Sequence, residues 1–474
     1  MSLGLLGILV SLALLITLAY RGHSVLVAAP VAALVATLFA GAPLLGTYTQ
    51  VFMPAMATFL GSYFPLFLTG AVFGHLMKTS GLAGDFAAWA SQRLGAQHAV
   101  LITVLTTAAL TYGGVSAWVV VFTIFPIATQ LFREAGIPRR LMPAAVALGV
   151  VTFALGALPG SPQIHNTIPT TVFGTTTFAA PVLGLLTGAL VFGLGMAWLR
   201  YRQRSLMAAG ESFEDLTIRE REAGVTVAGG TDRPAERGRV STASGLLGLV
   251  PVAVVVAVQA LMTYLVIPRL DTAYLADEKY GAVTLASVAG IWAVTVAMVV
   301  AILVVVLLRP GGMKHYPSDV SEGAGQAVLP TLTTASEVGF GAVIASMAAF
   351  TVIRDGIFGL TDNPVVTAAV STAGISGVTG SASGGLQITM STFGEQLAAQ
   401  GAAQGIDPEV LHRVAALAST SFDSMPHNGA IITMLLVTGL THREAYKDIF
   451  AVTVVGPLIG TAVAVVMGLT VGAF

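Results

Sequence analysis

Apolar residues fill long blocks of this chain, and short polar clusters punctuate them. A helix needs about 20 mostly apolar residues to cross a bilayer. Blocks that approach that length run over 3–20, 25–42, 58–77, 141–158, 178–199, 246–267, 283–308, 332–353, 411–440 and 449–469. Two other stretches are too short or too broken for a full span. Residues 99–110 and 118–131 are joined by TYGGVSA, and 365–375 and 386–399 by SGVTGSASGG. Each reads as a re-entrant hairpin, two half-helices meeting at a Gly/Ser tip. Irregular backbone at that depth survives only when buried in protein or lining a wet cavity. DFAAWASQRLG, carrying Trp89 and Arg93, reads instead as an amphipathic surface helix.

Composition fixes the solvent. The 474 residues are 55% hydrophobic and only 9% charged, with mean hydropathy +0.85. A soluble domain carries about 25% charged residues, so most of this surface must face lipid. The expected fold class is an all-α polytopic membrane protein. A net charge of −1 offers nucleic acid nothing to bind. The histidines lack metal-ligand spacing, and without cysteine there is no disulfide, thiolate nucleophile or Cys-ligated zinc. No cofactor is expected. The N-terminal block lacks a basic leader and a cleavage site, and its first cation, Arg21, follows it. It therefore reads as a retained span with its N-terminus outside. Most later cations, among them Lys78, Arg133, Arg139 and Arg140, then fall on the inner face, with both termini outside. Arg269, Lys279, Arg354 and Arg413 are the exceptions.

A polar segment over 201–243, expected to be a solvated cytoplasmic linker, divides the chain into transmembrane halves at 1–200 and 244–474. Both follow one plan: three spans, a hairpin, a broken span and a final span. The motif order agrees. GGVSAW, GIPRRLMPAAVAL and PQIHNTI in the first half answer SGGLQI, GIDPEVLHRVAAL and MPHNGAI in the second. An odd number of spans per half sets the second upside down relative to the first. Inverted repeats with discontinuous helices at mid-membrane are a building plan of secondary transporters.

The stretch ALPGSPQIHNTIPTTVFGT carries the candidate chemistry. Pro159 and Gly160 end the fourth block, and Pro162 and Pro169 should keep the helix from resuming at once, since proline removes a donor and clashes one turn back. Unwound backbone needs partners that lipid cannot supply. Gln163, His165, Asn166, Thr167 and a small ligand could supply them. The second half repeats the device in FDSMPHNGAI, with Asp423, Ser424, His427 and Asn428 around Pro426. Each break should face a hairpin tip, Gly113, Gly114 and Ser116 in one half and Ser381, Ser383, Gly384 and Gly385 in the other. Glycines let amides approach a ligand closely, and half-helix N-termini favour an anion. No Arg or Lys lies inside these four motifs. Asp423 would then repel a bound anion unless a proton, taken by Asp423 or His427, or a sodium ion removed the conflict. That linkage is symport. Glu337, two turns after Pro330, is the remaining ion-coupling candidate, either a relay or a solvated helix end near the inner mouth.

LPGSPQIHNTIPT with the later FGTTTFAAP, and DSMPHNGAIITML followed by GLTHREAYKDIF, resemble the GntP family of gluconate and hydroxy-acid permeases, within the wider ion-transporter superfamily. The likeness covers nearly the whole chain. It implies a dimeric monocarboxylate–proton symporter of the bacterial cytoplasmic membrane, with re-entrant hairpins. The first motif is more similar to the 3-hydroxybutyrate-type branch than to the VPPHPGP form of the gluconate branch. Sodium-coupled relatives use Ser-Asn-Thr elements, of which Asn166-Thr167 is a partial echo. Two rivals remain open. A passive anion channel could use the same cavity. An intramembrane serine protease could use Ser381-Ala382-Ser383-Gly384 with His427 as base, but it leaves two matched breaks unexplained.

Overall fold

The structure is a computed structural model, and it describes residues 2–21, 23–115, 117–215, 241–312, 314–359, 361–426 and 428–473. Ser116, His427 and residues 216–240 of the linker lie outside the described residues.

The first half contains α1 (Ser2–Tyr20), α2 (Val25–Ala40), α3 (Leu44–Thr79), α4 (Leu82–Leu94), α5 (Ala99–Tyr112), α6 (Ala117–Glu134), α7 (Met142–Val150), α8 (Phe153–Gly156), α9 (Ile164–Phe173) and α10 (Pro181–Ala208). The second contains α11 (Thr242–Arg269), α12 (Leu285–Leu308), α13 (Tyr316–Ala345), α14 (Phe350–Phe358), α15 (Pro364–Thr379), α16 (Ala382–Ala403), α17 (Pro408–Ser419), α18 (Gly429–Thr438) and α19 (His442–Thr470). Among the described residues, 7 helices are long and apolar enough to cross a membrane; α1, α2, α5 and α15 are apolar but shorter.

Packing contacts come in matched pairs. The α1–α2 pair answers α11–α12, α2–α13 answers α3–α12, and α5–α7 answers α15–α17. Each post-break helix also crosses to the other half: α9 packs on α16 and α17, and α18 on α6 and α7. Lipid tails are as apolar as leucine, so helices inside a bilayer associate through close packing of small residues and through hydrogen bonds. Gly156 illustrates this, because a Cβ there would stand 2.5 Å from the Ala416 carbonyl oxygen. That contact brings α8 directly against α17, so the two broken spans touch.

Three expectations need revision. Pro169 does not delay the helix, since α9 resumes at Ile164 and carries Pro169 inside it. As the sixth residue of α9, Pro169 removes one intrahelical bond, the one its amide would have made to the His165 carbonyl. The second hairpin tip is far shorter than SGVTGSASGG, with only Gly380 and Ser381 between α15 and α16. Its small residues stay helical because they bond locally: Thr379 Oγ1 donates to the Ile375 carbonyl at 2.9 Å, and Ser381 Oγ accepts the Gly384 amide at 3.1 Å. The linker's described beginning is docked. The α10 helix continues to Ala208, Arg140 meets Glu211 at 2.6 Å, and Arg133 meets Glu214 at 3.1 Å and covers the Phe213 ring. Downstream, Arg93 of α4 donates to Thr242 at 2.9 Å, and Trp89 packs on Gly245, so α4 receives the returning chain.

Candidate functional site

The first break covers residues 157–163, between α8 and α9. Proline and glycine leave its carbonyls without helical partners, and side chains take those of Pro159, Ser161 and Gln163. Tyr112 donates to the Pro159 carbonyl at 2.8 Å. Gln163 Nε2 reaches the tip of the first hairpin, at the Thr111 and Val115 carbonyls, at 2.7 and 3.3 Å. Asn166 Nδ2 donates to the Ser161 and Thr177 carbonyls at 3.0 and 2.5 Å. Its Oδ1 accepts Arg413 Nη1 at 2.9 Å and lies 3.2 Å from His412 Nε2, while His412 Nδ1 lies 2.7 Å from Thr175 Oγ1. Arg413 is fully buried and donates through Nε and Nη2 to the Ala179 carbonyl, at 3.0 and 2.6 Å.

Two sequence readings change here. Arg413, taken as a stray charge on the outer face, turns inward from α17 and brings a cation to a break that was expected to have none. Asn166, taken as a ligand contact, also holds the break together, its amide donating to the Ser161 and Thr177 carbonyls and its Oδ1 accepting Arg413. A lone arginine inside the apolar run VLHRVAAL was the available signal, because an intramembrane charge faces a partner. Arg139, expected at the interface, is also buried and donates to the Thr438 carbonyl at the end of α18.

The first hairpin tip is packed tightly onto this break. A Cβ on Gly114 would stand 2.7 Å from Pro162 Cγ, and one on Gly113 would meet Val252 of α11. Thr167 Oγ1 bonds back to the Gln163 carbonyl at 3.2 Å. His165 is buried, and its Nδ1 has no partner among the described residues.

The second break, from Thr420 to Asn428, repeats one detail closely. Asn428 Nδ2 donates to the Asp423 carbonyl at 3.0 Å, five residues back, as Asn166 does to Ser161. Its second amide proton goes to the Gly380 carbonyl at 2.8 Å, which ties the break to the second hairpin tip. The amphipathic start of α19 caps the rest: His442 lies 2.9 Å from the Pro426 carbonyl, and Tyr446 donates to the Ser424 carbonyl at 3.0 Å. Asp423 is 3% exposed, and its side chain accepts the Ser424 hydroxyl at 3.0 Å. Among the described residues no cation forms an ion pair with it.

Glu337 is not a solvated helix end. It lies deep in α13, 3% exposed, against the second tip. Its Oε2 falls 2.0 Å from where a Cβ on Gly384 would stand and has no partner among the described residues. Ser376 Oγ is likewise unpartnered and falls 2.3 Å from a Cβ position on Gly385. Ser381 Oγ faces Ser383 Oγ at 3.5 Å, and both serines are partly exposed. The structure thus gathers Gly384, Gly385, Ser381, Ser383, Glu337, Asn428 and the Asp423 backbone around one tip. The two breaks adjoin where α8 meets α17: a Cβ on Gly156, just before the first break, would stand 3.0 Å from Thr420 Cγ2 at the start of the second. Among the described residues, no group of three or more His, Cys, Asp or Glu could hold a metal ion.

Over 473 residues, which is 98% of this chain and 99% of the other, the sequence is 40% identical to the uncharacterized transporter YxjC of Bacillus subtilis (strain 168). No protein-family profile matches the chain.

Proposed function

The chain belongs to the same family as that Bacillus subtilis transporter and is a multi-pass membrane transporter; from this premise we propose that it carries a small monocarboxylate together with a cation. The halves act as inverted repeats in the bacterial cytoplasmic membrane, and the coupling cation is a proton. The solute is a short hydroxy acid of the 3-hydroxybutyrate kind or an aldonate such as gluconate.

One observation supports this reading above the others. Two carboxyl groups, Asp423 in the second break and Glu337 against the second hairpin tip, are buried with no cationic ion-pair partner among the described residues. Burying an ionised carboxylate without a partner costs tens of kcal/mol in an idealised low-dielectric medium, on the order of 20 or more, so such groups take up a proton or a cation. A solute anion entering the same region adds a further negative charge and strengthens that demand. Anion and cation then bind with positive linkage, and each raises the affinity for the other by the same factor.

Purified protein in liposomes tests the reading. Labelled 3-hydroxybutyrate and gluconate are offered under separately imposed proton and sodium gradients. Accumulation above the external concentration under a proton gradient alone is expected. Simple equilibration under every gradient would make the protein a channel and end the proposal. Asp423→Asn should abolish gradient-driven accumulation, while counterflow exchange, which needs no net cation movement, continues.

A further inference from the structure

The α4 and α5 helices share a cavity of about 190 Å³. Phe86 and Trp89 of α4 line it, their ring centroids 6.2 Å apart and their planes 29° from parallel. Leu94 of α4 and Leu105 of α5 line it too, and they are 40% and 42% exposed, so the cavity opens to whatever surrounds the protein. Around a chain whose surface faces lipid, that is hydrocarbon.

Three polar groups on the lining residues break this apolar pattern. Arg93 is exposed; its guanidinium donates to the neutral Thr242 hydroxyl at 2.9 Å and forms no ion pair among the described residues. Asp85, the carboxylate of α4, is paired with Arg309 instead. Trp89 Nε1 and Thr106 Oγ1 are buried and have no hydrogen-bond partner among the described residues. An unmet buried donor is costly, so each calls for an acceptor. An apolar slot with an uncompensated cation and two waiting donors fits an amphiphile that has a negative head and oxygen atoms below it.

We propose that this cavity seats an acyl chain of an anionic phospholipid from the surrounding bilayer, with the headgroup on Arg93 and ester oxygens as acceptors for the Trp89 indole and the Thr106 hydroxyl. Arginine suits a phosphate through its planar fork of donors, and tryptophan suits the boundary between hydrocarbon and headgroup. A zwitterionic lipid fits less well, because its own cation would lie close to the guanidinium. The site also gives lipid a grip on the first hairpin. Its first arm is α5, and the tip carbonyls of Thr111 and Val115 hold Gln163 of the first break. A lipid seated here fastens α4 to that arm. The inference goes beyond the transport reading and does not depend on which solute is carried.

The test places purified protein in phosphatidylcholine vesicles that contain a small fraction of either phosphatidylglycerol or phosphatidylcholine brominated on its acyl chains. Bromine quenches an indole it touches, and the difference between wild type and Trp89→Phe isolates Trp89 from the other tryptophans. At equal fractions, brominated phosphatidylglycerol should quench Trp89 about fivefold more effectively, the preference that one basic residue confers on an anionic lipid. Arg93→Gln should abolish that preference. Ala90→Leu, which puts a larger side chain on the cavity wall, should reduce quenching by both lipids. In detergent, added phosphatidylglycerol should raise the thermal midpoint of wild type but not of Arg93→Gln, since a ligand of the folded state stabilises it. Equal quenching by the two lipids, or a preference that survives Arg93→Gln, overturns the headgroup assignment. Quenching unchanged in Ala90→Leu overturns the seat. No quenching of Trp89 by either lipid would mean that protein covers the cavity, and that also overturns the proposal.

Discussion

The two breaks share a frame and differ in what is left over. In both, an asparagine just past the proline-rich turn reaches five residues back to a backbone carbonyl, and in both a hairpin tip is hydrogen-bonded to the unwound segment. At the first break Tyr112 donates to the Pro159 carbonyl, Asn166 donates to the Ser161 carbonyl, and the buried Arg413 holds Asn166 and the Ala179 carbonyl. At the second, two buried carboxyl groups, Asp423 and Glu337, have no cationic ion-pair partner among the described residues. A repeated motif therefore need not mean a repeated job. One copy carries a buried arginine where the halves cross, and the other carries buried carboxyl groups.

The sharpest way to break this comparison is to remove the first break's cation. Arg413→Met strands the Ala179 carbonyl and Asn166 Oδ1 and should cost about 3–5 kcal/mol, seen as a large fall in thermal midpoint in detergent. A midpoint near that of wild type would deny the first break its structural role. Asn166→Ala comes next, at about 3 kcal/mol, since it strands a charged donor and two carbonyls. Asn428→Ala loses two donated bonds and one accepted from the Ile431 amide, and should cost nearer 1–2 kcal/mol. Equal losses at the two asparagines would erase the contrast. Asp423→Asn should shift stability by no more than about 1 kcal/mol, because Asn keeps an acceptor for Ser424 and relieves a buried carboxyl, yet it should stop proton-driven accumulation. Smallest of all, Glu214→Ala should change stability by less than about 0.5 kcal/mol, since both partners of its pair with Arg133 are about half exposed.

Much of the architecture was legible because lipid imposes simple rules. Long apolar blocks must be helices, and a proline-glycine cluster inside one must unwind it. Reading the small residues of SGVTGSASGG as a loop failed because serine and threonine bond their own helical carbonyls when buried, which local composition does not reveal. Glu337 stays open between a relay and a solvated helix end in the sequence, and only its packing against α16 removes the second alternative.

By itself, the sequence determined that this chain lives in lipid, where its helices lie, and that two of them fray at proline, since hydropathy and proline geometry are local properties. Only the tertiary structure decided which break a buried arginine joins and which one lies beside buried carboxyl groups. A hydrogen bond from Arg413 to Ala179, or a carboxyl from Glu337 resting against Gly384, joins residues far apart in the chain. No local pattern encodes whether a polar atom has been met once the chain has folded.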